Sequence, residues 1–160
     1  MKKIVLIAAM ALGLVVTAVA ANPIEKKVGG QSRAIGLRGG YGVELSYQHT
    51  LGANFVETDL GIVANSINLA ATYNWMIAQP QWTDRGEWGV YAGPGAAVGL
   101  GLNPAKVNIA VAGQIGLEYT FWFPLQLSLD LRPQIGLQLG GGSGFYAGGF
   151  YPALGVRYRF

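Results

Sequence analysis

A chain of 160 residues has room for one domain. Half of it is hydrophobic (51%) and only 12% is charged, yet after the first twenty residues no apolar run reaches the roughly 20 residues that a membrane-spanning helix needs. The net charge of +3 includes Lys2 and Lys3, and no basic run follows Lys26 and Lys27, which excludes a nucleic-acid footprint; the lack of cysteine excludes disulfides, thiolate metal sites and a lipid-modified N-terminal Cys.

At the start of the chain, Lys2 and Lys3 precede an apolar run from Ile4 to Val16, and small residues follow at Ala18, Ala20 and Ala21 before Asn22 and Pro23. This is the order of a cleavable secretory signal peptide. Residues 1–20 are therefore expected to be removed, with cleavage after Ala20 or Ala21 both fitting. A retained anchor is disfavoured because the run is short for a span and ends in a small-residue cleavage site. Residues 21–32 are expected to form an N-terminal segment on the periplasmic side, and 33–160 the folded domain.

Glycine is the commonest residue at 25 copies and aromatics make up 11%, which suits short strands and tight turns better than helices. From Arg33 onward the chain alternates with a period of two. After a first strand at Arg33 to Gly39, the segment Tyr41 to Gln48 carries Tyr41, Val43, Leu45 and Tyr47 on one face and Gly42, Glu44, Ser46 and Gln48 on the other. Phe55 to Val63 follows, and Ser66 to Ile77 sets Ile67, Leu69, Ala71, Tyr73 and Trp75 against Asn68, Ala70, Thr72 and Asn74. Trp88 to Val98 and Val107 to Thr120 continue the series. Alternation is sharpest in Leu125 to Leu137, where Leu125, Leu127, Leu129, Leu131 and Ile135 oppose Gln126, Ser128, Asp130, Arg132 and Gln134. Ala153 to Phe160 is the last.

A soluble sandwich would also alternate. What separates the two architectures is the polarity of the second face, the even strand count and strand lengths of about 9 to 11 residues, the span of a tilted strand across a bilayer. The expected fold is all-β: an eight-stranded antiparallel up-and-down transmembrane β-barrel, closed because an open edge in lipid leaves unpaired backbone groups. Turns on the periplasmic side are expected at His49 to Asn54, Ala78 to Glu87 and Phe121 to Pro124, and outer loops at Gly39 and Gly40, Ala64 to Ser66, Gly99 to Lys106 and Gln138 to Phe150. Trp75, Trp82, Trp88, Phe121, Trp122 and Phe123 cluster towards one expected interface, and Phe145, Tyr146, Phe150 and Tyr151 towards the other.

The final segment, Ala153-Leu154-Gly155-Val156-Arg157-Tyr158-Arg159-Phe160, resembles the last strand of bacterial outer-membrane barrels. Together with the signal peptide, the eight strands and Gly42 to His49, the whole mature chain is similar to small outer-membrane barrels of the OmpX and OmpA-transmembrane type. That resemblance implies a monomer in the outer membrane with both termini in the periplasm. It also implies an assembly signal at Val156, Tyr158 and Phe160. The implied partners are outer-membrane lipid, periplasmic chaperones and the barrel-assembly machinery. It specifies an architecture and not an activity.

If the apolar parity faces lipid, then Arg38, Glu44, Glu57, Asp59, Glu118, Asp130, Arg132, Arg157 and Arg159 all face the interior. An eight-stranded barrel is just wide enough for its side chains to fill, so these charges are expected to form a salt-bridged plug in preference to a gated polar path. Arg157 and Arg159 are expected to find acids there, Asp130 being the nearest by chain order and Glu44, Glu57, Asp59 and Glu118 reaching from elsewhere around the wall. Pro94 and Pro133 fall on the lipid-facing parity inside strands, where a missing N–H predicts a bulge or local break.

Catalytic motifs are weak. His49 is the single histidine, expected at the end of the second strand without a nucleophile beside it. Gly140 to Gly144 lacks the Lys-Ser or Lys-Thr of a phosphate loop. Glu57, Asp59 and Asp130 lack calcium-loop spacing. The expected function is therefore non-catalytic and free of metal or cofactor: a structural or envelope-interaction barrel. The alternative is a passive conduit or binder for small hydrophobic molecules through a proline-marked lateral opening.

Overall fold

Alternation along Leu125 to Leu131 becomes a strand whose leucines face outward. Leu127, Leu129 and Leu131 are 38%, 49% and 39% exposed, while Gln126, Ser128 and Asp130 between them are buried. The computed structural model describes residues 31–160 apart from 64, 141 and 143. The expected signal peptide and nearly all of the segment 21–32 lie outside the described residues.

The described elements are all strands: β1 (Arg33–Gly39), β2 (Val43–Leu51), β3 (Asn54–Val63), β4 (Ser66–Ala78), β5 (Glu87–Leu102), β6 (Ala105–Thr120), β7 (Leu125–Leu131), β8 (Gln134–Leu139), β9 (Gly144–Gly148) and β10 (Pro152–Arg159). β7 and β8 are one stave of the wall interrupted at Arg132 and Pro133. β9 and β10 are another, interrupted at residues 149–151. The result is a closed antiparallel barrel of eight staves.

Neighbours in the chain are neighbours in the wall, and β1 pairs with β10 to close it, in a register running from Ala34↔Arg159 to Gly39↔Leu154. Beyond that ladder, Arg33 N donates to Phe160 O (3.2 Å) and Phe160 N to Arg33 O (2.9 Å). The chain ends of the barrel share one end with the connections at 52–53, 79–86 and 121–124, here the terminal end. The strand ends that join β1 to β2, β3 to β4, β5 to β6 and β8 to β9 lie at the far end.

The polarity of the barrel is reversed relative to a water-soluble core. Most buried side chains of any size are polar, Arg157 among them, whereas Leu37, Leu45, Ile62, Val111, Leu137 and Val156 are at least half exposed. The buried apolar cluster is small: Phe55, Met76 and Tyr91, with Phe55 and Tyr91 in edge contact at 5.0 Å. At the terminal end a run of ring contacts follows the rim, Trp82–Trp88 (5.3 Å), Trp88–Tyr119 (4.8 Å) and Tyr119–Phe121 (4.6 Å).

Two expected loops are corrected. Gly99 to Lys106 is almost all strand, since β5 runs to Leu102 and β6 begins at Ala105, paired Leu102↔Ala105. Its glycines signal crowding and not a turn: a Cβ on Gly99 would sit 3.3 Å from Asn68 Oδ1 and 3.4 Å from Asn108 Nδ2 inside the wall. Gln138 to Phe150 is a β-hairpin, with Gly136↔Tyr146 and Leu137↔Phe145 in register, because the outward apolar parity of Leu137 continues into Phe145.

The two prolines behave differently. β5 passes through Pro94 without a register shift: its ladder with β4 skips Gly93 and Pro94 and resumes unchanged, Thr72↔Gly95 then Trp75↔Ala92. The shift on that ladder falls instead between Met76 and Ala78. At Pro133 the stave is interrupted, and the facing stave carries one extra residue there, since Leu131 pairs with Pro152 but Gln134 pairs with Gly148. Gly149 absorbs that extra residue with φ of 72°, a left-handed conformation that favours glycine.

Candidate functional site

The inward parity brings the nine expected interior charges into the barrel, all buried. The group nearest the far end is built on β1, β2, β3 and the β7–β8 stave. Arg38 donates from Nη1 to Glu44 Oε2 (2.6 Å), and from Nε (3.0 Å) and Nη2 (2.5 Å) to Asp130 Oδ1. Arg132 donates from Nη2 to both oxygens of Glu44 (2.6 and 2.7 Å) and from Nη1 to Asp59 Oδ2. Glu44 is thus held between two guanidiniums. Bonds of this charge-assisted kind are the strong ones.

One layer nearer the terminal end, Arg157 is fully buried and all three of its donor nitrogens are used. Nε donates to Ser46 Oγ (2.8 Å), Nη1 to Ser128 Oγ (2.7 Å) and Nη2 to Glu57 Oε1 (2.7 Å). Glu57 also accepts from Gln48 Nε2 (2.8 Å) and Gln114 Nε2 (3.3 Å). Gln114 Oε1 in turn accepts from Thr72 Oγ1 (2.5 Å) and Asn74 Nδ2 (3.0 Å). This layer crosses the interior from wall to wall.

Of the acids expected for Arg157, Glu57 is the one it meets, and Asp130, the nearest by chain order, is not. Asp130 lies opposite Ala153, whereas Arg157 lies opposite Gln126, so the two are offset along the barrel axis. Gly155 leaves the space through which the Arg157 side chain reaches Ser128: a Cβ there would sit 2.8 Å from Arg157 Nη1. Asp130 instead serves Arg38 and accepts from Tyr91 OH at 3.4 Å. Of the remaining charges, Glu118 accepts from Gln126 Nε2 (2.8 Å) and Arg159 donates from Nη2 to Gln31 O (2.6 Å).

Sequence reasoning that followed only charges missed Ser46, Gln48, Thr72, Asn74, Tyr91, Gln114, Gln126 and Ser128. Their signal was available, since each lies on the inward parity of its strand. His49 falls within β2 on the outward parity and not in a turn. Val156 and Tyr158 face outward on β10, 50% and 57% exposed.

Above the Arg38–Glu44–Arg132 group, a cavity of about 300 Å³ opens at the far end. Its wall includes Tyr41, Asn68, Gln134, Tyr146 and Tyr151, and Gly40, Gly42, Gly148 and Gly149 bring bare backbone to it. Tyr41 and Tyr151 stack at 5.0 Å with an interplanar angle of 15°. Arg132 keeps a buried Nε–H with no partner among the described residues. The site is a cup, with ion pairs for its floor.

In comparison with known proteins, no family model, no curated protein and no solved structure matches the chain.

Proposed function

We propose that this chain is a non-catalytic integral protein of the bacterial outer membrane, a barrel whose interior is closed by its own side chains and which serves a structural or envelope-interaction role. One observation carries the proposal: a continuous apolar exterior encloses an interior of buried, mutually bonded charges. Water outside would make the exterior costly over all eight staves, whereas lipid accepts it and demands the closed hydrogen-bonding that the β1–β10 ladder supplies. In this proposal the terminal end faces the periplasm, the ring contacts along its rim lie at headgroup level, and the protein is a monomer.

An open aqueous path would leave interior charges wet, and Arg157 and Glu57 have no exposed side-chain surface. The purified chain in a planar bilayer is therefore expected to give no steady conductance. Steady single-channel currents would reject the closed interior and with it this function.

A second use, passage or binding of a small hydrophobic molecule through the wall, is favoured by one feature. Pro94, Gly113 and Pro133 lie side by side on adjacent staves, and a Cβ on Gly113 would meet nothing within 4 Å. Gly113 N still donates to Pro133 O at 2.9 Å, so the backbone there is joined. Proteoliposome uptake of a lipophilic probe above the lipid background would move the balance to this alternative.

The resemblance of the last strand to an assembly signal also makes an expectation. Phe160→Ala keeps the backbone bonds to Arg33 and removes only the ring. Refolding in detergent should then be close to that of the parent, while the amount inserted in cells falls several-fold. Equal insertion would remove Phe160 from the signal.

A further inference from the structure

We propose that the cup at the far end is a binding site for a neutral sugar ring. Its volume, about 300 Å³, is at the lower end of the range for small-molecule sites, roughly 300–1,000 Å³, and admits one ring better than a chain. The cup is blind. Arg38 and Arg132 are joined through Glu44 across its floor at 2.6 Å, so a solute that enters from the far end stops there.

Bonds already made in the floor select against ions. The two guanidiniums of the floor are shared among three carboxylates, Glu44, Asp130 and Asp59, which leaves no spare positive charge for an anion. The one carboxylate in the lining is Glu44, and both of its oxygens are bonded to guanidiniums, so a cation would have to compete with bonds already made; Asp59 Oδ1 has no partner among the described residues but is buried outside the lining. Either ion would also lose its hydration on entry. A neutral ligand avoids both penalties.

Hydrogen-bonding capacity nevertheless remains. The amides of Asn68 and Gln134 in the wall can donate and accept, which suits hydroxyl groups. The opposite requirement comes from the aromatic side chains. Tyr41, Tyr146 and Tyr151 line the cup, and aromatic rings suit an apolar face. A molecule with hydroxyls along its edge and C–H groups on its face meets both demands, and that is the chemistry of a pyranose. The ring could be a free sugar or the head group of a glycolipid. The proposal needs only the cup, and it does not depend on the membrane location proposed above.

The test is saturation-transfer NMR on the full chain folded in zwitterionic micelles, which carry no sugar. The probes are methyl glucoside, methyl galactoside and N-acetylglucosamine in solution, glucosyl diacylglycerol in the micelle, and inorganic phosphate as a competitor. Transfer to the ring protons of at least one sugar is expected, undiminished by phosphate. Transfer to a soluble glycoside identifies a free sugar, and transfer to the lipid-borne sugar alone identifies a head group. Tyr146→Ala, on the β8–β9 hairpin, should weaken binding by about tenfold, the order expected for a lost ring contact. Gln134→Leu should weaken it while preserving the strand. Should Tyr146→Ala fail to fold, Tyr41→Ala at the exposed rim replaces it. No transfer from any of the sugars, displacement by phosphate, or equal binding by parent and folded variants would each overturn the proposal.

Discussion

Replacing Arg157 by Met should lower the unfolding free energy of the barrel by about 3 to 5 kcal/mol, the usual cost of stranding one member of a buried ion pair. Glu57 has no exposed side-chain surface and would lose its only direct guanidinium contact among the described ion pairs, while Ser46 and Ser128 would lose a donor each. The loss comes mainly from the group left behind. Arg157→Met combined with Glu57→Gln should therefore recover much of the stability, because the amide carries no charge and Gln48 and Gln114 remain beside it. Urea unfolding followed by tryptophan fluorescence gives both values. A single mutant within about 1 kcal/mol of the parent would put Arg157 in the class of solvent-exposed pairs and would mean that water reaches the interior.

The second large effect belongs to the outer surface. Leu129 is level with Leu117 on β6 and Leu154 on β10, half-exposed and four residues in from the terminal end of its stave. Leu129→Arg should cost about 2 to 4 kcal/mol in lipid vesicles, the price of a cation near a bilayer midplane. Gln81→Arg, in the exposed 79–86 connection, should cost little. Contrast between the two positions is the informative quantity. If Leu129→Arg is as stable as the parent in vesicles, the apolar exterior does not face lipid and the proposed location fails.

The alternation of Leu125 to Leu131 and of Tyr41 to Gln48 made the strands and their two faces legible, because a period of two states directly which side chains share a face. Closure followed from an even count and the cost of open edges. Partner choice inside was not legible. Whether Arg157 meets Asp130 or Glu57 depends on register and on how far a side chain reaches across the lumen, and register is a property of ladders between distant segments. Glycines were the other obstacle. Gly99 and Gly101 read as turn formers along the chain, but in the barrel they leave room for Asn108 and Lys106, a role visible only once the facing strand is in place. The apolar Phe55, Met76 and Tyr91 likewise occupy inward positions where parity alone favours polar residues. The cup depends on the β8–β9 hairpin, and the Gly140–Gly144 run concealed that hairpin from a reading based on turn propensity.

The bonds between Arg33 and Phe160 also bear on how the barrel is made. Apart from that seam, the closing of the wall can proceed by zipping each stave onto the one before it, with short connections and modest entropy loss at every step. The seam joins the first strand to the last and has the greatest sequence separation of any ladder, so no partial chain can form it. Until it forms, the half-built molecule is a curved sheet with two raw edges, each able to recruit a foreign strand. The last few residues thus decide between a sealed cylinder and an adhesive one, and any handling machinery must shield β1 until β10 arrives.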